Sequence, residues 1–447
     1  HKDTPALWID AIPSEWQSKK IREIFIERRV KVSDKDYAPL SVSKAGIVPQ
    51  LSTAVKTDNG DNRKLVKAGD FVINSRSDRK GSSGISPYDG SVSLINIALK
   101  PITNENPQFL HYMLRSSPFA EEYYRNGRGL VSDLWTTRYN ELKNIFVPIP
   151  PRPEQDQIGR FLNWKTAEVA HFIHEKKKKI AWLNELKNSL IFRAVISGVE
   201  SSVPLKSCSI GWISSIPEHW EEKMLFQCAT EQSISNKTVH HQNLLSLSYG
   251  KIINKDINTT TGLLPTSFDG YQIIHNGNVI LRLTDLQNDH KSLRVGLATQ
   301  TGIITSAYTC LKARSNIFPE YLYFLLHSFD VCKVFYGMGG GVRQSIGYND
   351  IRRMVILLPP IEEQEKIIAY CRREQEKIEQ LINGIKNEIS LVQELRTKII
   401  ADVVTGKVDI RNVEVPEYEL ETDESSNEDE MDEYSEYEET IDKEVDD

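Results

Sequence analysis

The side chains best suited to chemistry lie in two polar stretches, each just after a short apolar run. Behind Phe71-Val72-Ile73 come Asn74-Ser75-Arg76-Ser77-Asp78-Arg79-Lys80-Gly81-Ser82-Ser83-Gly84, and behind Val279-Ile280-Leu281 come Arg282-Leu283-Thr284-Asp285-Leu286-Gln287-Asn288-Asp289-His290-Lys291. Arg, Lys, Asn and Gln bond base edges through paired hydrogen bonds, while Ser and Thr hydroxyls and loop N–H groups suit phosphate. A glycine-bearing stretch follows each, Arg125-Asn126-Gly127-Arg128-Gly129 and Gly337-Met338-Gly339-Gly340-Gly341-Val342-Arg343-Gln344, where backbone can approach a ligand closely. The candidate contacts are Asn74, Arg76, Ser77, Arg79, Lys80, Ser82, Ser83, Arg125, Arg128 and Arg138 in one half of the chain. In the other half they are Arg282, Thr284, Asp285, Asn288, Lys291, Arg294, Arg343 and Gln344. One polar loop argues little, but two in equivalent places with different lettering argue more.

Signals for catalysis are missing. Gly406-Lys407 lacks both the earlier glycine and the Ser/Thr of a phosphate-binding GxxxxGK(S/T) loop, and Gly337 to Gly341 lacks the third glycine of GxGxxG. Neither Pro150-Pro151 nor Pro359-Pro360 has the Asn or Asp before it and the aromatic after it that an amino-methyltransferase needs. The cysteines at 208, 228, 310, 332 and 371 form no CxxC pair, so buried thiols are expected rather than a zinc site or a disulfide framework. His240-His241 reads as surface, and the run Lys176 to Lys179 reads as a solvated helix face. A non-catalytic chain that binds no metal or cofactor of its own is expected.

The charge is unevenly spread. Between Glu414 and Asp447 there are 18 acidic residues and one lysine, so this stretch carries −17 and the chain before it +10 of the total of −7. A basic body points to a polyanionic partner. The tail 413–447 cannot bury a core and is expected to be disordered, acting as a weak internal competitor for the basic face. With 447 residues, 39% hydrophobic and 26% charged, the chain suits two or three soluble domains. No apolar run approaches the ~18 residues of a membrane helix. The start shows no charged-then-apolar leader, so a cytoplasmic location is expected, and a first residue of His points to processing.

The polar loops sit in a duplicated frame. Ile12-Pro13-Ser14-Glu15-Trp16 returns as Ile216-Pro217-Glu218-His219-Trp220, and Ala68-Gly69-Asp70 before the first apolar run is answered by Asn276-Gly277-Asn278. Asn106-Pro107-Gln108-Phe109 is answered by Phe318-Pro319-Glu320-Tyr321, and Tyr139-Asn140-Glu141-Leu142 by Tyr348-Asn349-Asp350-Ile351. The offset drifts through 204, 208, 212 and 209, so the loops differ in length. Each repeat reads as an α+β globule, about 12–149 and 216–358, of short strands and a few helices.

A long helix follows each globule. Pro150-Pro151-Arg152-Pro153-Glu154-Gln155 and Pro359-Pro360-Ile361-Glu362-Glu363-Gln364 are helix starts, with Pro fixing the entry and acids in the first turn. Apolar residues then recur in steps of four and three: Ile158, Leu162, Val169, Phe172, Leu183, Leu186 and Leu190, then Ile367, Cys371, Ile378, Leu381, Ile385, Val392, Leu395 and Ile399. Each segment runs about 45 residues, roughly 66 Å, and so narrow a stripe over such a length needs a partner helix. The two are expected to pair as a coiled coil. Symmetry suggests the antiparallel direction; charge does not discriminate, because Lys165 could face Glu388 antiparallel or Glu374 parallel.

Two Ile-Pro-x-x-Trp starts, two glycine-bounded strand turns, two Pro-Pro-x-x-Glu-Gln helix entries and the ending Val403-Val404-Thr405-Gly406-Lys407 together resemble the specificity subunit of type I restriction-modification systems. The resemblance covers residues ~7 to 412. It implies two tandem target recognition domains, 1–152 and 216–360, followed by helices 153–198 and 361–406 with a linker 199–215 between the repeats. The helices would form an antiparallel coiled coil with pseudo-two-fold symmetry. Each domain would read half of a bipartite, asymmetric sequence in double-stranded DNA. Two modification (methyltransferase) subunits and the restriction (translocase/nuclease) subunits would be the partners, supplying S-adenosylmethionine, ATP and Mg chemistry, with Ile158, Leu162, Phe172, Leu183, Leu190, Ile367, Ile378, Leu381, Val392 and Ile399 in the coiled coil. The rival reading is a non-enzymatic coiled-coil adaptor that binds proteins through its two globular repeats; such an adaptor has no need of a body at +10 or of unlike loops in equivalent places.

Overall fold

The computed structural model describes residues 1–50, 60–76, 79–129, 135–200, 202–238, 241–257, 267–286, 289, 292–338 and 345–418. The described residues form two compact units, one holding His1–Lys176 and the stretch from Asn387 to Tyr418, the other Lys177–Lys386. Almost all of the acidic tail lies outside the described residues. Among them, no helix is long and apolar enough to cross a membrane, and no group of three or more His, Cys, Asp or Glu is placed to hold a metal ion.

Each globule has a four-stranded antiparallel sheet of one order. In the first it is Phe25–Glu27, Asn96–Pro101, Phe71–Asn74, Ser83–Ile85; in the second, Ala229–Glu231, Thr309–Ala313, Val279–Leu281, Val295–Leu297. Phe71 faces Leu99 and Ile85 across its strand pairs, as Val279 faces Leu311 and Leu297. Both central strands are buried throughout, which explains why they read as continuous apolar runs rather than alternating ones. A second ladder closes each globule ahead of its long helix, Gln17–Lys20 with Phe146–Ile149 and Glu221–Met224 with Val355–Leu358.

The long helices span Arg152–Ser197 and Ile361–Val404. A buried glutamine fastens the start of each to its own globule. Gln155 Oε1 accepts from the Asn106 N–H at 2.7 Å while its Nε2 donates to Pro150 O at 2.9 Å and to Glu105 Oε2 at 2.5 Å. Gln364 repeats this: Oε1 accepts from the Phe318 N–H at 2.9 Å, and Nε2 donates to Pro359 O at 2.9 Å and Asn316 O at 3.2 Å. Asn106 and Phe318 are the N-caps of the helices Pro107–Arg115 and Pro319–Val331, so one side chain locks two helix starts together. The motif read as a helix entry is therefore also a clamp.

The far end of each long helix is held differently. Both close on a glycine at φ +75°, Gly198 and Gly406. A Cβ on Gly406 would collide with the Pro13 ring and stand 3.2 Å from Trp16, and one on Gly198 would stand 2.9 Å from the Glu363 carboxylate and 3.4 Å from Trp220. The Ile-Pro-x-x-Trp tryptophans are thus the floor on which the other repeat's helix ends. Within the first unit, Ile158 and Leu162 share a core with Val403 and Val404, Gln157 Nε2 donates to Val413 O at 2.6 Å, and Lys176 pairs with Glu388. Within the second, Ile191, Val195 and Ile196 share a core with Ile367, Ile368 and Cys371. In each unit the two helices run antiparallel. Lys165 does not decide the direction, because it pairs with Glu168 on its own helix at 2.9 Å.

The stripe needs one correction. Ile367, Ile378 and Ile385 are buried, but Leu381 is 58% exposed and Ile382 takes the inward place. From Ile378 a step of four turns the helix about 40° one way and a step of three about 60° the other, so Ile382 lies nearer the centre of the buried face. Leu183, Leu190, Val392 and Ile399 are half-buried, and Phe172 is 38% exposed with the Lys176 ammonium 5.0 Å over its ring. Of the thiols, Cys228, Cys310 and Cys371 are buried, whereas Cys332 is exposed.

The second globule also buries a carboxyl, Asp330 on the helix Pro319–Val331, whose Oδ2 accepts the Arg294 N–H at 2.5 Å. Burial outweighs that bond and pushes its pKa up to about 6.

Replacing Gln364 by Leu strands the Phe318 N–H and the Pro359 carbonyl without water, and leaving a buried group unpaired costs roughly 1–3 kcal/mol. Urea unfolding of Gln364→Leu should show the second unit destabilised by about 2–4 kcal/mol with the first unchanged; Gln155→Leu should do the reverse. The Asp330 carboxyl gives a pH test. Its folded pKa lies above its unfolded one, so its contribution is fully present below about pH 4 and is lost as pH rises through about 6. The unfolding free energy of Asp330→Asn relative to wild type should therefore climb between these limits, by up to about 3 kcal/mol, and level off above. A pH-independent difference would contradict the shift.

Candidate nucleic-acid interface

The first globule joins the two polar stretches that the sequence presents separately. Arg76 forms a β-bridge with Thr136, and Thr136 bridges Arg128 through N–H···O bonds of 2.9 and 3.0 Å. The Thr137 N–H donates to Ser75 O at 3.0 Å. Arg76 and Arg128 thus flank one threonine, and both are exposed, as are Arg79 and Arg138. Lys80 is half-buried, paired with Glu121 and lying 5.1 Å over the Tyr124 ring. Arg125 pairs with Glu122 at 2.5 Å and Arg128 approaches Glu141 at 3.5 Å.

Three candidates here shape the loop instead of projecting from it. Asn74, Ser82 and Ser83 are buried. Asn74 Oδ1 accepts the Arg76 N–H at 3.0 Å, the Asn74 N–H donates to Ser82 O at 3.0 Å, and Ser83 pairs with Ile73 in the sheet. They correct the sequence reading because a short polar side chain beside a strand finds its partner in the adjacent backbone. Gly127 is likewise needed for packing, since a Cβ there would collide with the Trp135 indole. Trp135, whose Nε1 donates to Tyr124 O at 2.9 Å, is the residue the sequence reading passed over. An aromatic within a polar, glycine-bearing stretch was the available signal.

The second globule places its loop on the equivalent strand. The Arg282 N–H donates to Arg294 O at 2.8 Å, as Asn74 does to Ser82, and the Ile346 N–H donates to Leu283 O at 2.9 Å. Arg282 and Thr284 are half-buried and Asp285 is exposed, with φ at +55°. Arg294 is a second correction. It has no exposed surface, and its guanidinium is spent on carbonyls of its own loop, so it cannot reach a ligand. Ser77, Asn288, Lys291, Arg343 and Gln344 lie outside the described residues.

Residues 13–181 match the family model of the type I restriction modification DNA specificity domain. Over 433 residues the chain is 22% identical to a candidate type I restriction enzyme MjaX specificity subunit of Methanocaldococcus jannaschii, covering 90% of this chain and 96% of that protein. It is also 22% identical over 431 residues to the type I restriction enzyme MjaVIII specificity subunit of the same organism, covering 90% and 95%. A solved structure described under complex assembly and conformational transition of the type I R-M system superposes with a TM-score of 0.57 at 14% identity, covering 89% of this chain and 99% of that one, and so shares the fold. The first repeat thus carries the matched DNA specificity domain, the second repeats its sheets, clamp and long helix, and over nine-tenths of its length the chain is similar to type I restriction enzyme specificity subunits.

Proposed function

We propose that this non-catalytic subunit reads a bipartite, asymmetric sequence in double-stranded DNA, the first globule reading one half and the second the other. The observation that carries the reading is the pair of loops behind Phe71–Asn74 and Val279–Leu281. They leave the same strand of the same sheet, carry Arg76, Arg79, Arg282 and Thr284, and share almost no lettering. An invariant frame with unlike polar loops is what two different half-sites require, because base edges are told apart by the donors and acceptors set against them. The charge of +10 ahead of the tail supplies the sequence-independent attraction to phosphate.

The long helices are the surface for the two modification subunits, and through them for the restriction subunits. Trp182 and Leu186 are 66% and 49% exposed, and Leu391 and Leu395 are 64% and 51% exposed. Each pair is spaced by four and so lies on one side of its helix. Large apolar side chains left together in water mark interaction sites. S-adenosylmethionine, ATP and Mg belong to the partner subunits in this reading.

Exchanging residues 12–149 for the first globule of another specificity subunit tests the division of labour. Selection from randomised duplexes, read with a methyltransferase subunit present, should show one half-site changed and the other kept; a change in both or in neither refutes it. Single substitutions sharpen the same assay. A base-reading arginine among Arg76, Arg79 and Arg282 changed to Ala should cost about 1–3 kcal/mol and relax one position in its own half-site. A phosphate contact should weaken all sequences alike and lower the salt slope by about 1.

A further inference from the structure

The two reading loops differ in length at one place. Asn74 and Arg282 occupy the same strand-end position, and so do their acceptors Ser82 and Arg294, yet the offset between the repeats is 208 at the first pair and 212 at the second. The second globule has four extra residues between these points. Where the first globule has a buried serine, it has a buried arginine.

That arginine makes five bonds. Nη1 donates to Thr284 O at 2.6 Å and Arg282 O at 3.3 Å, Nη2 donates to Asp289 O at 2.5 Å and Asp285 O at 3.1 Å, and Nε donates to the Tyr336 hydroxyl at 3.0 Å. The Tyr336 hydroxyl in turn donates to Asp289 O at 3.1 Å, and the guanidinium lies 5.2 Å from the Tyr336 ring centre. Among the described residues the nearest carboxylate contact of the guanidinium, Asp289 Oδ2, is 3.8 Å away, and the bonds made are to main-chain oxygens of the loop and the Tyr336 hydroxyl. A guanidinium has five donors in a fixed plane, and here all are spent on one turn and its brace. The turn holds Asp285 in the left-handed region, a conformation that persists in a non-glycine residue only where its surroundings enforce it. Behind the pin, Asp330 fixes the Arg294 backbone N–H from the helix Pro319–Val331.

We propose that Arg294 is a positioning residue for sequence reading by the second globule: it never touches DNA, but it fixes the turn that presents Arg282, Thr284 and Asp285, and specificity at the second half-site depends on it. This rests on the DNA-reading function above. An ammonium cannot replace it, since one point charge with three donors cannot span acceptors spread from Arg282 to Asp289 and Tyr336.

The test uses the full chain with a methyltransferase subunit, on duplex libraries randomised separately in each half-site. Arg294→Met and Arg294→Lys should both lose preference at the second half-site by at least about tenfold, the scale of one good base contact. Preference at the first half-site and low-salt binding to unrelated duplex should stay at wild-type levels. Tyr336→Phe, which removes one acceptor and the brace to Asp289, should lose preference in the same half-site to a smaller degree. Wild-type preference in Arg294→Lys overturns the proposal, and so does equal loss in both half-sites, which is what general destabilisation gives. If the Arg294 variants do not fold, Tyr336→Phe decides, and unchanged second half-site preference in that variant overturns the idea. A wild-type protein that prefers no duplex sequence refutes the DNA reading itself, a result distinct from all of these.

Discussion

Each unit depends on holding two helices that come from distant parts of the chain, and the hold at one end is a buried glutamine. Gln155 and Gln364 are 1% and 0% exposed, and each satisfies a helix N-cap and the carbonyl of the Pro-Pro entry at once. Because an unmade buried bond costs more than a made one gains, the entry angle of the helix is fixed sharply. At the other end, Trp16 and Pro13 meet Gly406 too closely for a Cβ, and Trp220 meets Gly198 at ordinary contact distance, both glycines holding a positive φ. A globule therefore grips the start of its own helix and the end of the other. The antiparallel direction follows from these two grips, with the apolar stripe filling in between them.

This division explains what is constant and what varies between the repeats. The clamps, the tryptophan floor and the sheet order recur because each closes a core, where a changed volume or a lost partner is expensive. The loops beyond the strand ends change in length and chemistry, even though the second seats Leu283 and Leu286 in its core. They have done so by different means. The first globule ties its loop through backbone bridges among Arg76, Thr136 and Arg128, backed by Trp135 packed on Gly127. The second ties a longer loop by filling its interior with the Arg294 guanidinium. Each solution fixes a different set of outward side chains on the same support.

Much of the frame was legible in the sequence because it repeats. The two globules, the long helices and the polar loops all follow from matched motifs and periodicity. What the sequence conceals is direction. An arginine in a polar stretch reads as a surface contact, and Arg294 is buried only because carbonyls from Arg282 to Asp289 converge with Tyr336, 42 residues further on. Asn74, Ser82 and Ser83 are likewise spent on backbone beside them. The heptad spacing could not choose between Leu381 and Ile382, since both stand one turn from Ile378 and only the packed partner selects. Charge could not orient the helices either, because a lysine such as Lys165 has an acid on its own helix to satisfy it.

The cations of the site divide by the strength of what holds them. Lys80 and Arg125 pair with Glu121 and Glu122, and Arg128 approaches Glu141 with 84% of its side chain in water. An ion pair that solvent reaches on both sides, as at Lys80 and Glu121, holds by only about 0–1 kcal/mol, whereas Arg125 answers the buried carboxylate of Glu122. The acids keep the loop surface from repelling itself. Arg294, in the second globule, stands at the other extreme, its buried guanidinium met chiefly by carbonyls of its own loop. In the proposed reading the two globules use different devices, solvent-exposed cations in the first and a buried charge in the second. Salt should then act on affinity through the first group while leaving the shape set by the second untouched.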